Sequence, residues 1–174
     1  EDVAQKGKPR YNESFVCDVM KQTLRALAFM HGNNFMHKDL KPQNIMLVDK
    51  ESASIKVIDF GLAELFQADQ EHSSAFGGTL LYMAPEVFKY KLVMKSDIWS
   101  AGVILYNMLT GDYPFMATWP LPRGKTMDWW QAELARSIQQ DNFRRNKSLE
   151  DRHWSDECMD LMRQMLEKDV EKRP

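Results

Sequence analysis

Apolar residues recur at helical spacing in several stretches of the chain, and the first two stretches predict its longest helices. From Ser14 to His31 they form one stripe, which predicts a helix with a single buried face. Asn12 or Ser14 can cap its start, and Gly32 can end it. The segment "SDIWSAGVILYNMLT" (96–110) is apolar nearly all round, which indicates a helix inside the domain, and Gly111 suits its C-terminus.

Two further helices are predicted towards the end of the chain. Asp128 is expected to cap a helix that carries Trp130, Leu134 and Ile138. A last helix is expected to start at Ser155, with acids in its first turn where the helix dipole favours them. Its predicted buried residues are Cys158, Leu161, Met162, Met165 and Leu166.

Two short strand-like runs lie between the first and second helices. "NIMLV" (44–48) and "SIKVID" (54–59) flank the polar turn "DKESA", a pattern typical of a β-hairpin. The region 60–83 lacks periodicity and is rich in Ser, Gly and Thr, which predicts a long loop; long loops in compact domains are usually functional or disordered. The predicted fold class is therefore mainly α with a small β-hairpin.

Composition excludes several classes of protein. The 174 residues are 44% apolar and 28% charged, as in an ordinary soluble domain, and the net charge of −2 gives no electrostatic footprint for nucleic acid. No apolar run approaches the ~18 residues that a membrane span needs. Cys17 and Cys158 are expected to be buried reduced thiols, which argues against a secreted disulfide scaffold. The polar start "EDVAQKGKPR" is no signal peptide, and it has no initiator Met, so the true N-terminus is expected to lie outside this sequence. The expected location is cytoplasmic, with no targeting signal visible in these residues.

The octapeptide "HKDLKPQN" (37–44) carries the candidate chemistry. Because the hairpin returns the chain, Asn44 and Asp59 are expected to approach each other at adjacent strand ends. An amide oxygen and a carboxylate suit Mg²⁺, whose shell phosphates usually complete. Lys41 supplies a cation for an anionic substrate, and Asp39 is left to accept a hydroxyl proton. Together these residues indicate phosphoryl transfer.

Three motifs in a fixed order give the chain a family resemblance. "HKDLKPQN", "DFG" (59–61) and "APE" (84–86) resemble the catalytic loop, metal-binding motif and loop-closing motif of eukaryotic protein kinases of the serine/threonine type. The similarity covers about residues 14–174, through "GTLLYMAPEVF", "KSDIWSAGVILYNMLTGDYPF" and "DLMRQMLEKDVEKRP". "DFGLAELF" and "WSDECMDLMRQML" are most similar to the calcium-dependent and calmodulin-dependent branch.

The resemblance implies a partial kinase domain over residues 1–174. It would be the C-terminal lobe of the kinase α+β fold, with the N-terminal lobe absent. Its catalytic loop is 37–44, its activation segment is 59–86, and its helical remainder is 87–174.

The resemblance also implies a role for each matching residue. Asp39 would be the catalytic base and Lys41 would lie beside the γ-phosphate of ATP. Asn44 and Asp59 would bind Mg²⁺, and Thr79 would hydrogen-bond near the base. Three further residues match structural roles: a bracing ion pair between Glu86 and Arg173, and a buried acid, Asp97, that holds the catalytic-loop backbone. A simple acid at a helix N-terminus explains Asp97 almost as well.

Lys38 departs from the pattern, since the family usually has Arg there and many members use that Arg to grip a phosphate on the activation loop. Lys offers a point charge without the two-toothed fork of Arg. The loop holds Ser73 and Ser74 as acceptors, and Asp69 and Glu71 as built-in acids. The hypothesis is that activity depends weakly on loop phosphorylation because an acid fills that role.

A second departure is the long stretch from Ala117 to Arg145, which includes "WPLPRGKTMDWW". An elaborated loop pinned by Trp119, Trp129 and Trp130 is the favoured interpretation, and a docking surface is the alternative.

A third departure is that neither G-x-G-x-x-G nor a V-A-I-K-type lysine occurs. The lobe that covers ATP is therefore expected to be missing, and these 174 residues alone are expected not to transfer phosphate. No D-x-D-x-D-G loop occurs, so calcium-sensing or regulatory segments would lie outside the chain.

The predicted function is transfer of phosphate from ATP, with Mg²⁺, to serine or threonine of protein substrates. A pseudokinase or scaffold lobe is the alternative. A Mg²⁺-dependent phosphohydrolase using Asp39, Asn44 and Asp59 is a third class, which leaves Lys41 and the "APE" motif without a role.

Overall fold

The computed structural model describes residues 11–48, 53–65, 77–144, 149 and 154–174. Beside three short 3₁₀ turns, four α-helices and four short strands make up the regular structure of these residues, so the mainly α prediction is confirmed. In chain order they are α1 (Glu13–Gly32), β1 (Phe35–Met36), β2 (Ile45–Leu47), β3 (Ile55–Val57), β4 (Glu64–Leu65), α2 (Lys95–Thr110), α3 (Met127–Gln140) and α4 (Asp156–Met165). No helix in these ranges is long and apolar enough to cross a membrane.

Helix α2 lies at the centre of the core, as its nearly all-apolar sequence predicts. Most of its 16 residues are buried, and it packs against both α1 and α4. A Cβ atom on Gly102 would lie 2.9 Å from the Cβ of Met165, so this glycine allows α4 to approach closely. Gly111 ends the helix in the left-handed conformation (φ 71°), as predicted.

The helix ends follow their capping side chains. Asn12 caps α1 by accepting the N–H of Phe15 at 2.9 Å, as predicted. The helix ends at Gly32, as predicted, and the residue in the left-handed conformation that follows it is Asn34 (φ 57°). Thr126, not Asp128, caps α3, because its hydroxyl accepts the N–H of Trp129. The prediction for Asp128 is therefore wrong, and this acid lies in the first turn of α3.

The last helix starts as predicted, with Ser155 as its cap. It buries Met162, Met165 and Leu166, whereas Cys158 and Leu161 are half-buried. Burial and the nearby Glu13 and Cys17 raise the pKa of Cys158 to about 11. The prediction that Cys17 is buried is wrong, because it projects from α1 outside the stripe of Val16, Val19 and Met20. Both cysteines are free thiols.

Two small antiparallel sheets flank the catalytic-loop sequence. The predicted hairpin is confirmed, with Ile45 opposite Val57 and Leu47 opposite Ile55; residues 49–52 of its turn lie outside the described residues. The second sheet pairs Phe35 with Leu65 and Met36 with Glu64, within the region expected to be loop. A strand of two residues is too short to show an alternating pattern, so periodicity could not predict β1 and β4.

Candidate active site

The backbone of the catalytic-loop sequence is anchored on the buried carboxylate of Asp97 in α2. Its Oδ2 accepts the backbone N–H of His37 at 2.9 Å, and its Oδ1 accepts that of Lys38 at 3.0 Å. His31 Nε2 of α1 lies 2.9 Å from the same Oδ2. Lys38 adopts the left-handed conformation (φ 71°), so the chain turns sharply just before Asp39. Asp97 is therefore not simply an acid at the N-terminus of α2, because its carboxylate accepts hydrogen bonds from the backbone of residues 37 and 38.

The carboxylate of Asp39 is held by two side chains. The hydroxyl of Thr79 donates to Oδ1 at 2.7 Å, and Lys41 Nζ donates to Oδ2 at 2.5 Å. Lys41 Nζ also donates to the Thr79 oxygen at 3.0 Å, which closes a triangle of three side chains. Burial raises the pKa of Asp39, but the hydrogen bonds from Lys41 and Thr79 and the charge of Lys41 outweigh it, so the pKa lies below its usual value. Asp39 is therefore ionised at neutral pH and able to accept a proton.

Asn44 lies at the end of the short 3₁₀ turn Pro42–Asn44 and is buried. Its side-chain Nδ2 donates to the backbone oxygen of Asp39 at 2.8 Å. With the amide nitrogen engaged there, the amide oxygen is the side-chain atom that can act as a ligand. Its backbone oxygen accepts the N–H of Ile58 at 2.9 Å, so the hairpin places Asp59 one residue beyond this bond.

Asp59 follows β3 in a left-handed conformation (φ 62°). Its Oδ1 accepts the N–H of Gly61 at 3.2 Å, which tightens the turn. An amide oxygen and one carboxylate fit Mg²⁺, which proteins usually hold through one or two side chains plus phosphate and water. Over the described ranges, no group of three or more His, Cys, Asp or Glu residues could hold a metal ion. The amide oxygen of Asn44 and the carboxylate of Asp59 are a donor set of the kind that Mg²⁺ shares with phosphate ligands.

Gly78 brings Thr79 to the catalytic loop, a role that the sequence analysis missed. It has φ 104°, and a Cβ at this position would lie 2.5 Å from the backbone oxygen of Lys38. That distance is far inside van der Waals contact, so any side chain would force the two segments apart. The glycine pair before Thr79 was the only signal in the sequence.

His37 is a second residue whose role the sequence did not reveal. It is fully buried, its Nε2–H donates to the backbone oxygen of Ile58 at 3.1 Å, and its Nδ1 accepts the N–H of Asp39 at 3.3 Å. Its ring packs on Phe60, with 5.4 Å between ring centroids. His37 therefore connects the residue before Asp59 with the backbone of Asp39.

Glu86 and Arg173 form a buried ion pair behind the site. Arg173 donates to the two Glu86 oxygens at 2.7 and 3.0 Å, and to the backbone oxygens of Lys95 and Glu167. Ser96 donates a further hydrogen bond to Glu86 at 2.8 Å. The pair therefore joins the "APE" sequence to α2 and to the last turn of the described chain.

The long stretch after Ala117 packs through its tryptophans. Trp119 is exposed and meets the buried Trp130 edge-on, with 6.4 Å between ring centroids. Lys125 Nζ lies 4.9 Å from the ring centroid of Trp129. Asp69, Glu71, Ser73 and Ser74, which the phosphorylation hypothesis invoked, lie outside the described residues.

The known proteins that are similar to this chain include several protein kinases. The chain is 41% identical over 168 residues to calcium-dependent protein kinase 6 of Plasmodium berghei, covering 96% of this chain and 10% of that protein. It is 34% identical over 174 residues to a probable myosin light chain kinase of Dictyostelium discoideum, covering 99% of this chain and 50% of that protein. It is 35% identical over 171 residues to calcium-dependent protein kinase 7 of Arabidopsis thaliana, covering 96% of this chain and 29% of that protein.

The chain thus spans half or less of the length of each of these relatives. The sequence profile described as "Protein kinase domain" matches residues 1–174, the whole chain. The sequence motifs, the contacts around Asp39 and this match agree, and the chain belongs to the protein kinase domain family.

Proposed function

We propose that the full-length protein containing this chain is an ATP-dependent, Mg²⁺-assisted protein kinase that phosphorylates serine or threonine. Residues 1–174 would form its C-terminal lobe, with the catalytic loop at 37–44 and the activation segment at 59–86. The observation that carries the proposal is the triangle of Asp39, Lys41 and Thr79, which surrounds an ionised carboxylate with a cation and a hydroxyl.

In the proposed reaction, Asp39 accepts the proton of the attacking substrate hydroxyl. Lys41 keeps its ammonium at the carboxylate and beside the place where the γ-phosphate of ATP would lie, so it can stabilise negative charge in the transition state. Thr79 donates to the other carboxylate oxygen, Oδ1, and so fixes the rotation of the Asp39 carboxylate. Asn44 and Asp59 would hold Mg²⁺, which when bound neutralises charge on the phosphates.

The preference for serine and threonine rests on Lys41 and Thr79, which match the serine/threonine type of the family. Several relatives are named calcium-dependent protein kinases, so calcium-sensing segments elsewhere in the protein are part of the proposal. We further propose that the protein acts in the cytoplasm on protein substrates.

The test is a phosphotransfer assay of the purified full-length protein with γ-labelled ATP, a mixed Ser/Thr/Tyr peptide library and titrated Mg²⁺. We expect label on serine and threonine, loss of transfer with a chelator, and a higher Mg²⁺ requirement for Asp59→Asn. Residues 1–174 alone are expected to be inactive. Absence of transfer by the folded full-length protein at any Mg²⁺ concentration would contradict the proposal and favour the scaffold alternative.

A further inference from the structure

Hydrogen bonds join the first turn of α1 to the first turn of α4. The carboxylate of Glu13 in α1 accepts the backbone N–H of Ser155 at 3.0 Å, and it also accepts the hydroxyl of Ser155, the residue that caps α4. The same hydroxyl oxygen accepts the N–H of Cys158 at 3.2 Å. Glu13 therefore holds the N-terminal turns of the two helices against each other.

Both cysteines of the chain lie at this junction. Cys17 follows Glu13 by four residues on α1, and Cys158 follows Ser155 by three residues on α4. Residues three or four apart are neighbours on a helix surface, so each cysteine lies about one turn beyond a residue of the junction. Burial is the main cause of the raised pKa of Cys158, and electrostatic interactions with Glu13 and Cys17 are the next. Both side chains are therefore close to the Cys158 thiol.

The two thiols differ in their access to solvent. Cys17 is exposed, whereas Cys158 is half-buried and has a pKa of about 11, so it is protonated at neutral pH. An oxidant in solution therefore meets Cys17 first. Cys158 lies behind it as the second thiol, and an accessible cysteine beside a second one is the arrangement that reversible thiol oxidation requires.

We propose that Cys17 and Cys158 are a modification site, at which a peroxide forms a reversible disulfide between α1 and α4. The site is separate from the triangle of Asp39, Lys41 and Thr79, and the inference does not rest on the proposed kinase function.

The oxidation takes two steps. The thiolate of Cys17 attacks one oxygen of hydrogen peroxide, so an S–O bond forms, the O–O bond breaks and hydroxide leaves, which takes up a proton to become water. The sulfur of Cys158 then attacks the sulfenic acid on Cys17. An S–S bond forms, the S–O bond breaks, and the hydroxyl leaves as water with the proton of Cys158. The two thiols lose two electrons and two protons, and the peroxide is reduced to two molecules of water.

The experiment treats the full-length protein with hydrogen peroxide, blocks the remaining thiols with N-ethylmaleimide and digests the protein with trypsin without reduction. Cleavage after Lys and Arg places Cys17 in peptide 11–21 and Cys158 in peptide 153–163. Mass spectrometry should find these two peptides joined, in a yield that does not depend on protein concentration, and dithiothreitol should separate them. Peptides that are only blocked or oxidised separately, or joined only between molecules, would overturn the proposal.

The matched control moves one thiol around α1 and keeps the number of thiols, by combining Cys17→Ser with Asp18→Cys. Position 18 is exposed like position 17, but it is rotated by about 100° around the helix, away from the face of Glu13. We expect at least about tenfold less of the joined peptides, because a disulfide needs Cα atoms within about 7 Å. A shifted pair that joins as fully as the wild-type pair would overturn the proposal.

Thermal unfolding of the reduced and the peroxide-treated wild-type protein gives a second readout. Since the disulfide joins positions far apart in sequence, it should constrain the unfolded chain and raise the unfolding midpoint of this domain by about 5 °C or more. The shifted pair should keep the midpoint of its reduced form. An unchanged or lower midpoint in the bridged wild-type protein would show that the bridge does not belong to the native fold, and would contradict the assignment. Neither readout needs phosphotransfer, so both decide the inference even if the proposed function fails.

Discussion

Two ion pairs of similar length serve different purposes in this domain. Arg173 and Glu86 lie 2.7 Å apart with side-chain exposures of 0% and 10%, whereas Lys41 and Asp39 lie 2.5 Å apart with exposures of 23% and 11%. The guanidinium of Arg173 reaches both Glu86 oxygens and two backbone oxygens. Among the described residues, the ammonium of Lys41 reaches only Asp39 and Thr79.

The difference lies in how many donors the protein itself uses. An ammonium group has three hydrogens, and the described residues engage two of those on Lys41, which leaves one for a bound anion. The guanidinium of Arg173 is buried, and most of its N–H groups donate to protein oxygens, so its role is to stabilise the fold. The same type of charge pair is therefore structural in one place and suited to chemistry in the other.

Asp39→Asn should have the largest effect on activity. It should show most clearly that the Asp39–Lys41 pair differs in function from the Glu86–Arg173 pair. We expect kcat of the full-length protein to fall about a thousandfold, because the amide cannot accept the substrate proton. The thermal unfolding midpoint should fall only slightly, since Asn keeps the shape of Asp and removes only the small stabilisation of a partly exposed ion pair. Phosphotransfer rates and a melting curve, measured on one preparation, give both values. Equal rates in the two proteins would remove Asp39 as the base.

Glu86→Gln should have the opposite profile. It leaves the buried Arg173 charge without its partner, so we expect the free energy of unfolding to fall by about 3 kcal/mol. Turnover per folded molecule should stay close to wild type, because Glu86 makes no described contact with Asp39. Urea unfolding combined with activity measurements tests this, with the exposed Glu133→Gln as control. Indistinguishable unfolding of the two variants would show that the buried pair does not brace the domain.

Thr79→Val should have the smallest effect and should sharpen the electrostatic side of the comparison. Val removes both hydrogen bonds of the Thr79 hydroxyl, the one that it donates to Asp39 and the one that it accepts from Lys41. Loss of the bond to Asp39, about 1 kcal/mol, should lower kcat about fivefold. The same loss removes one cause of the lowered pKa of Asp39, while burial, which raises it, remains. The pKa should therefore rise, and the acid limb of the rate profile should move to higher pH.

The sign for stability follows from the same shift. A carboxylate with a lowered pKa in the folded state stabilises the fold above its unfolded pKa, and that contribution is lost as pH falls through the folded pKa. Thr79→Val should reduce this contribution. Thr79→Ser keeps the hydroxyl and serves as the control, with a wild-type profile. An acid limb that is unchanged in Thr79→Val would contradict the assigned hydrogen bond.

Local patterns predicted the elements that depend on local sequence. Periodicity identified α2 and the hairpin because burial repeats with the geometry of each element. It failed at Cys17, since one position beside a buried stripe can face either way. It also failed at Asp128, because two neighbouring residues could cap α3 and the chain geometry chose Thr126.

The candidate site was predictable only in part for a related reason. Asp39, Lys41 and Asn44 lie within six positions, so their grouping could be seen in the sequence. Thr79 lies 40 positions from Asp39, and only the family resemblance pointed to it. Gly78 against Lys38, and Lys38 against Glu64, depend on the folded path of the chain and carry no local signal.

The Asp97 carboxylate has a consequence for the cost of each catalytic cycle. Ordering one residue of a free loop costs about 1–2 kcal/mol of conformational entropy, and His37 and Lys38 are both tied through their backbone N–H groups. That cost is met once, when the chain folds around α2. In the proposed reaction, a substrate that reaches Asp39 would meet a carboxylate that needs no further ordering, so its binding energy would remain available for the reaction.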